Sequence, residues 1–129
     1  MEKEYDLKVI APKSNNYATV PSHTEMLDQF EVVLTQGGLT SISEVIAKNK
    51  FLVVIPIKDH SEQILNAATV EDLGLGVTAK LSDLDDFPKF LSKIKEKKAA
   101  CMKTNGKVNC NGAAESAQFI KTLLLSADA

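Results

Sequence analysis

Several things are scarce in this sequence, and each scarcity excludes a class of function. The formal charge is only -2, with 15 basic against 17 acidic residues, so no electrostatic footprint points to nucleic acid or to an anionic membrane surface. There are two cysteines, Cys101 and Cys110, set nine positions apart with no histidine nearby. That spacing does not match the paired ligands of zinc sites, and the two are read as reduced thiols. The N-terminus MEKEYDLKVI begins with charges and lacks the apolar stretch and small-residue cleavage site of a secretory signal. No apolar run approaches the roughly 20 residues that a membrane-spanning helix needs. Internal repeats and low-complexity segments are also missing. A cytoplasmic chain without a transmembrane segment or a nucleic-acid partner is the expectation.

What is present is a chain of 129 residues, 44% of them hydrophobic, enough for one domain over residues 1–129 and too short for two. Short β-rich runs alternate with longer segments of helical period, the pattern of parallel βαβ units with helices on both faces, so the fold class is α/β. Strands are expected at Tyr5–Ile10, Tyr17–Val20, Glu31–Thr35, Phe51–Ile57 and Gly76–Ala79. The fourth opens with five consecutive apolar residues, as a strand buried on both faces requires. Ser22 with Glu25 and Ser41 with Glu44 have the spacing of a capping box at a helix start. Further helices are expected over Ser61–Leu73, stopping at Gly74, over Phe87–Ala99 with Pro88 in its first turn, and over Ala113–Leu125. On such a helix Lys93, Lys95, Lys97 and Lys98 read as a solvated outer face. Lys103–Gly112, rich in Asn and Gly, reads as a mobile loop.

Two stretches carry chemistry. Glu31–Thr35 runs into Gln36-Gly37-Gly38-Leu39-Thr40-Ser41, and a helix follows at once. Paired glycines let a backbone come close to a bulky anion, and the first-turn amides of the next helix point at it with the favourable end of the dipole. Thr40 and Ser41 can add hydroxyl donors. The alternative is a tight strand-to-helix turn with Ser41 and Glu44 as the helix cap; the run lacks the lysine of the phosphate-binding loop of nucleotide hydrolases. The second stretch, Pro56-Ile57-Lys58-Asp59-His60-Ser61-Glu62-Gln63-Ile64-Leu65-Asn66-Ala67, lies where the buried strand ends and polar residues crowd the next helix. In parallel sheets that edge is where ligands bind. Glu62 only accepts hydrogen bonds, whereas Gln63 both donates and accepts, so the pair suits a polyhydroxylated ligand. Here too a structural alternative stands, with Asp59 or Ser61 as helix cap and Glu62 as a favourable first-turn charge.

Taken together, the run from Gly37 to Val77 (GGLTSISEVIAKNKFLVVIPIKDHSEQILNAATVEDLGLGV) resembles the C-terminal domain of GT-B glycosyltransferases of family 28, a group that includes the lipid II-forming N-acetylglucosaminyltransferase. The resemblance implies a Rossmann-like, mostly parallel sheet with flanking helices that binds a nucleotide-sugar donor, a UDP-sugar above all. It implies loop amides at Gly37, Gly38, Thr40 and Ser41 on the diphosphate, with Glu44 on the ribose hydroxyls. Glu62 and Gln63 would take the transferred sugar, Gln36 and His60 are further candidates for donor contact, and Asn66 would brace the helix. Two departures stand out: many relatives have glycine where Thr40 stands, and plant and animal relatives have histidine where Gln36 stands. The family domain also opens with a further strand, glycine loop and helix, and this first βα unit has no counterpart here. A truncated domain would expose a sheet edge, and such edges invite pairing with a second copy.

The resemblance further implies an inverting hexosyl transfer with no cofactor and no metal, the amides and helix dipole stabilising the departing nucleotide diphosphate. In such enzymes the acceptor and its base come from the opposing domain. No catalytic residue is therefore assigned, neither His23 nor His60 is read as a general base, and turnover is expected only with an acceptor-binding chain or domain. Such a partner could also hold the protein at a membrane periphery. Two other readings remain open: a noncatalytic interaction module that keeps the fold, and part of a sugar-nucleotide epimerase.

Overall fold

Phe51–Val54 forms a strand in which every residue is buried, and its alternation assigns each side chain to one of two cores. Leu52 and Val54 belong to one cluster with Leu27, Ile42, Val45, Ala67 and Val70. Phe51 and Val53 belong to the other, with Val77, Ala79, Phe90 and Ile94. This two-sided burial explains the unbroken apolar run. Truncating Leu52, which has no exposed surface, would cost about 2–5 kcal/mol through lost burial and the cavity left behind.

The computed structural model describes residues 23–102, 108 and 110–127. The strands expected at Tyr5–Ile10 and Tyr17–Val20, Ser22 of the first capping pair and most of the Lys103–Gly112 loop lie outside the described residues. The elements run α1 (His23–Met26), a 3-10 turn (Leu27–Gln29), β1 (Val32–Thr35), α2 (Leu39–Ala47), β2 (Phe51–Val54), α3 (Ser61–Asp72), β3 (Gly76–Thr78), a 3-10 helix (Leu81–Asp86), α4 (Phe87–Met102) and α5 (Gly112–Ala127). The described sheet has three strands in the order β1-β2-β3. All pairings are parallel, with Val32 opposite Phe51, Thr35 opposite Val54, and Leu52 opposite Gly76. Helices α2 and α3 cover one face and α4 the other, the α/β/α layering expected of a Rossmann-like domain.

Three local expectations are corrected. Strand β2 stops at Val54 rather than Ile57: Ile55 still donates to the Thr35 carbonyl at 2.8 Å, but Pro56 has no N–H with which to continue the ladder. Helix α2 starts at Leu39 with Gly38 as its N-cap and no side-chain cap, so Ser41 and Glu44 lie inside the helix and form no capping box. Helix α3 is capped neither by Asp59 nor by Ser61 but by His60, whose Nδ1 accepts from the Gln63 N–H at 3.4 Å. Asp59 adopts φ +62, and that left-handed turn leaves His60 extended at the cap position.

The far end of α3 follows expectation. Gly74 takes φ +67, with Leu75 N–H bonded to the Val70 carbonyl and Gly74 N–H to that of Glu71, a left-handed helix stop. Lys93, Lys95 and Lys97 are exposed, whereas Lys98 is half-buried and pairs with Glu31 at the entrance to β1. That hydrogen bond and the Lys98 charge lower the Glu31 carboxyl below its ordinary value. Cys101 is half-buried and Cys110 exposed, neither in a disulfide. No described helix is long and apolar enough to cross a membrane.

Among the described residues, two apolar surfaces stand out as exposed. Val32 and Leu34, 37% and 48% exposed, stand opposite Phe51 and Val53 in the register, on the sheet face that α4 covers only farther in. Every residue of α5 is exposed, Phe119, Ile120, Leu123 and Leu124 among them.

Candidate functional site

Thr35 and Val54 are partners in the parallel register, so the two loops that follow them leave the same edge of the sheet side by side. One turns into α2 through Gln36, Gly37 and Gly38; the other enters α3 through residues 55–60. The two stretches singled out in the sequence thus meet at the carboxyl ends of adjacent strands, where open α/β sheets bind ligands.

The two glycines differ in what requires them. Gly37 is buried at φ +106, and a Cβ there would sit 3.0 Å from Val54 Cγ1 and 3.3 Å from the Gln63 carbonyl oxygen. Both backbone conformation and packing against α3 demand glycine. Gly38 has φ -65 and ψ 136, a conformation open to any residue, and a Cβ there would meet nothing within 4 Å. Nothing in the described fold requires glycine at position 38, and an N-cap without a side chain forgoes a hydrogen bond that Ser or Asp would make.

Because α2 begins at Leu39, Thr40 and Ser41 are in its first turn, where backbone amides have no acceptor inside the helix. Ile42 N–H is the first to be satisfied in this way, by the Gly38 carbonyl at 3.1 Å. Gln36, Gly38, Thr40 and Ser41 are exposed. Half-buried Glu44 follows Thr40 and Ser41 by one helical turn and so shares their face.

His60, Gln63 and Asn66 recur every three residues at the start of α3; Gln63 and Asn66 direct polar atoms at the two loops, whereas His60 caps the helix itself. Gln63 Oε1 accepts from the Ile57 N–H at 2.9 Å, His60 accepts from Gln63 as cap, and Asn66 Nδ2 donates to the Gly37 carbonyl at 3.0 Å. Gln63 therefore has its carbonyl oxygen engaged and its amide hydrogens as the donors open to a ligand. Glu62 and His60 are exposed. Asn66, expected to brace its own helix, instead holds the glycine turn that follows β1. A half-open groove of about 140 Å³ lies between α2 and α3, lined mostly by Leu39, Ile42, Ile46, Val70, Leu73 and Leu75, with Ser43, Asn66 and Thr69 as its polar residues. The surface it exposes is mainly apolar, which suits a sugar less well than the polar edge where the two loops meet.

The sequence carries an Asp-x-Asp triplet, Asp83-Leu84-Asp85, whereas the expectation of metal-free transfer had assumed that no such donor motif is present. Asp83 Oδ2 accepts from the Lys80 N–H at 2.8 Å and Asp86 Oδ1 from that of Lys89 at 3.2 Å, so these flanking carboxylates close the turn into α4. Among the described residues no group of three or more His, Cys, Asp or Glu side chains is placed to hold a metal ion.

Comparison with known proteins matches residues 3–123 to the glycosyltransferase family 28 C-terminal domain. The chain belongs to that family. An uncharacterized glycosyltransferase of Methanopyrus kandleri is 37% identical over 60 residues, 46% of this chain and 17% of that protein. The crystal structure of the glycotransferase of kitacinnamycin superposes with a TM-score of 0.50 at 19% identity, covering 93% of this chain and 33% of that one; this likeness supports the fold. The family 28 domain described here thus spans about a third of that solved chain.

Proposed function

We propose that this family 28 domain binds a nucleotide-sugar, a UDP-sugar above all, as the donor half of an inverting GT-B glycosyltransferase. The observation that carries the reading is Gly38: a glycine that neither conformation nor packing requires, at an exposed helix start, suits close approach of a diphosphate to the backbone. The amides of Gly38, Leu39, Thr40 and Ser41 would hold the phosphates, Glu44 the ribose, and Glu62 with the Gln63 amide group the sugar hydroxyls. Gln36 and His60 flank this path. As the glycosidic bond to the donor breaks, charge builds on the nucleotide diphosphate, and fixed amides at a helix terminus stabilise it without reorganising. On this reading donor binding is indifferent to chelator, and the acceptor with its base is supplied by a second domain or chain. The exposed faces of β1 and α5 are suited to such a neighbour or to a second copy.

Calorimetric titration with UDP and UDP-N-acetylglucosamine, repeated with Glu44→Ala and Gln63→Ala, tests the proposal. Binding by the wild type that weakens in both variants supports a donor half. Absence of heat at millimolar ligand would favour a noncatalytic interaction module, in which Glu44→Ala alters helix stability alone.

A further inference from the structure

We infer that Asn66 is a positioning residue that sets the direction of the Gly37–Gly38 peptide, and so decides whether the glycine turn offers an anion a donor or an acceptor. The inference rests on the donor-site reading above and names the device that would make that site anion-selective.

In a trans peptide the carbonyl of one residue and the N–H of the next point in opposite directions. Between two glycines this unit can rotate at little steric cost, because glycine accepts φ of either sign. Left to itself, the turn could present the Gly38 N–H or the Gly37 carbonyl to the same space. Asn66 removes the choice. Its Nδ2 donates to the Gly37 carbonyl at 3.0 Å in a partly buried contact. A carbonyl oxygen only accepts, so the atom facing it must be the amide nitrogen. With the carbonyl held towards α3, the Gly38 N–H is directed away from α3, and Gly38 is the exposed residue with nothing within 4 Å of its missing Cβ. Rotation of the peptide would replace a donor with a carbonyl dipole that repels phosphate.

The site of attachment is itself rigid. Gly37 is wedged against Val54 and the Gln63 backbone, and Gln63 is tied to Ile57, so α3 and the turn move as one. An aspartate at position 66, when ionised, would face the Gly37 carbonyl as a second acceptor and favour the rotated peptide.

The test compares wild type, Asn66→Ala and Asn66→Asp by NMR titration with UDP and with uridine, which lacks the phosphates, while following the Gly38 amide signal. The expected result is that both variants lose about 10- to 100-fold in UDP affinity, as for one hydrogen bond to a charged group, with Asn66→Asp the weaker binder. Uridine affinity should be unchanged, and the Gly38 amide should shift with UDP in the wild type alone. Equal UDP affinity in all three proteins would overturn the inference while leaving the donor site standing. An equal loss for uridine and UDP would overturn it as well, since that outcome marks general damage to the fold. A wild type that binds neither ligand refutes the donor-site reading itself.

Discussion

Gly38→Asp should make this domain more stable and a worse binder of nucleotide diphosphate. Three contributions favour the folded variant. Aspartate exceeds glycine as an N-cap by a few tenths of a kcal/mol. Replacing glycine at a compatible φ, here -65, restricts the unfolded chain by about 0.4–1 kcal/mol. A negative charge at a helix N-terminus adds about 0.3–1 kcal/mol at low salt. The sum is about 1–2 kcal/mol, or about 4–8 °C in melting temperature for a chain of 129 residues. The same carboxylate would lie beside the bound diphosphate. At about 5 Å and an effective dielectric of about 20, each pair of unit charges costs about 3 kcal/mol, a loss of about 100-fold in affinity. Thermal denaturation followed by titration with UDP at low and high salt measures both effects, and the affinity defect should shrink as salt rises. A stabilised variant that binds UDP as tightly as the wild type would refute the cradle, and a destabilised one would refute the account of Gly38.

Gly76→Ala should unfold the domain or lower its stability by more than about 3 kcal/mol, because a Cβ there would sit 2.2 Å from the Leu52 carbonyl oxygen of the adjacent strand; denaturant titration shows it. Asn49, at φ +55 where α2 ends, should accept glycine with no loss of stability, since its left-handed conformation favours that residue; a drop of about 1 kcal/mol or more would contradict this. The Glu31 carboxyl is lowered first by its hydrogen bond to Lys98 and then by the Lys98 charge. Its contribution is therefore full above the ordinary value of 4.5 and is lost as pH falls through the lowered value in the fold. Glu31→Gln should flatten that acid limb slightly, the carboxylate being exposed, and leave the neutral-pH melting temperature nearly unchanged; an unaltered acid limb would argue against the pairing. Exposed Val32 and Leu34 should drive concentration-dependent association that Leu34→Lys abolishes; a strictly monomeric wild type in sedimentation at high concentration would count against it.

Much of this protein was legible before its structure. The α/β class, the strands expected at Glu31–Thr35, Phe51–Ile57 and Gly76–Ala79 and found to within a few residues, and the Gly74 helix stop follow from period, apolar runs and a residue suited to positive φ. These are local properties, carried by neighbours in sequence. The two ligand-edge stretches were recognisable because each joins a strand end to a helix start. The helix caps differ from expectation for a physical reason: Ser41 has the chemistry of a cap, but the turn at Gly37, set by its packing on Val54 and Gln63, starts α2 three residues earlier, with Gly38 as the cap.

The amino-acid sequence by itself determined the strands and longer helices from Glu31 onward and that two of their junctions are rich in polar groups and glycine, since these depend on periodicity and residue chemistry. Only the tertiary structure decided that Gly37 is required by the fold while Gly38 is not, and that Gln63 and Asn66 hold the loops of two different strands. Those distinctions arise from contacts between residues far apart in the chain, such as the Asn66 amide on the Gly37 carbonyl 29 positions away, and packing of that kind leaves no periodic trace in the sequence.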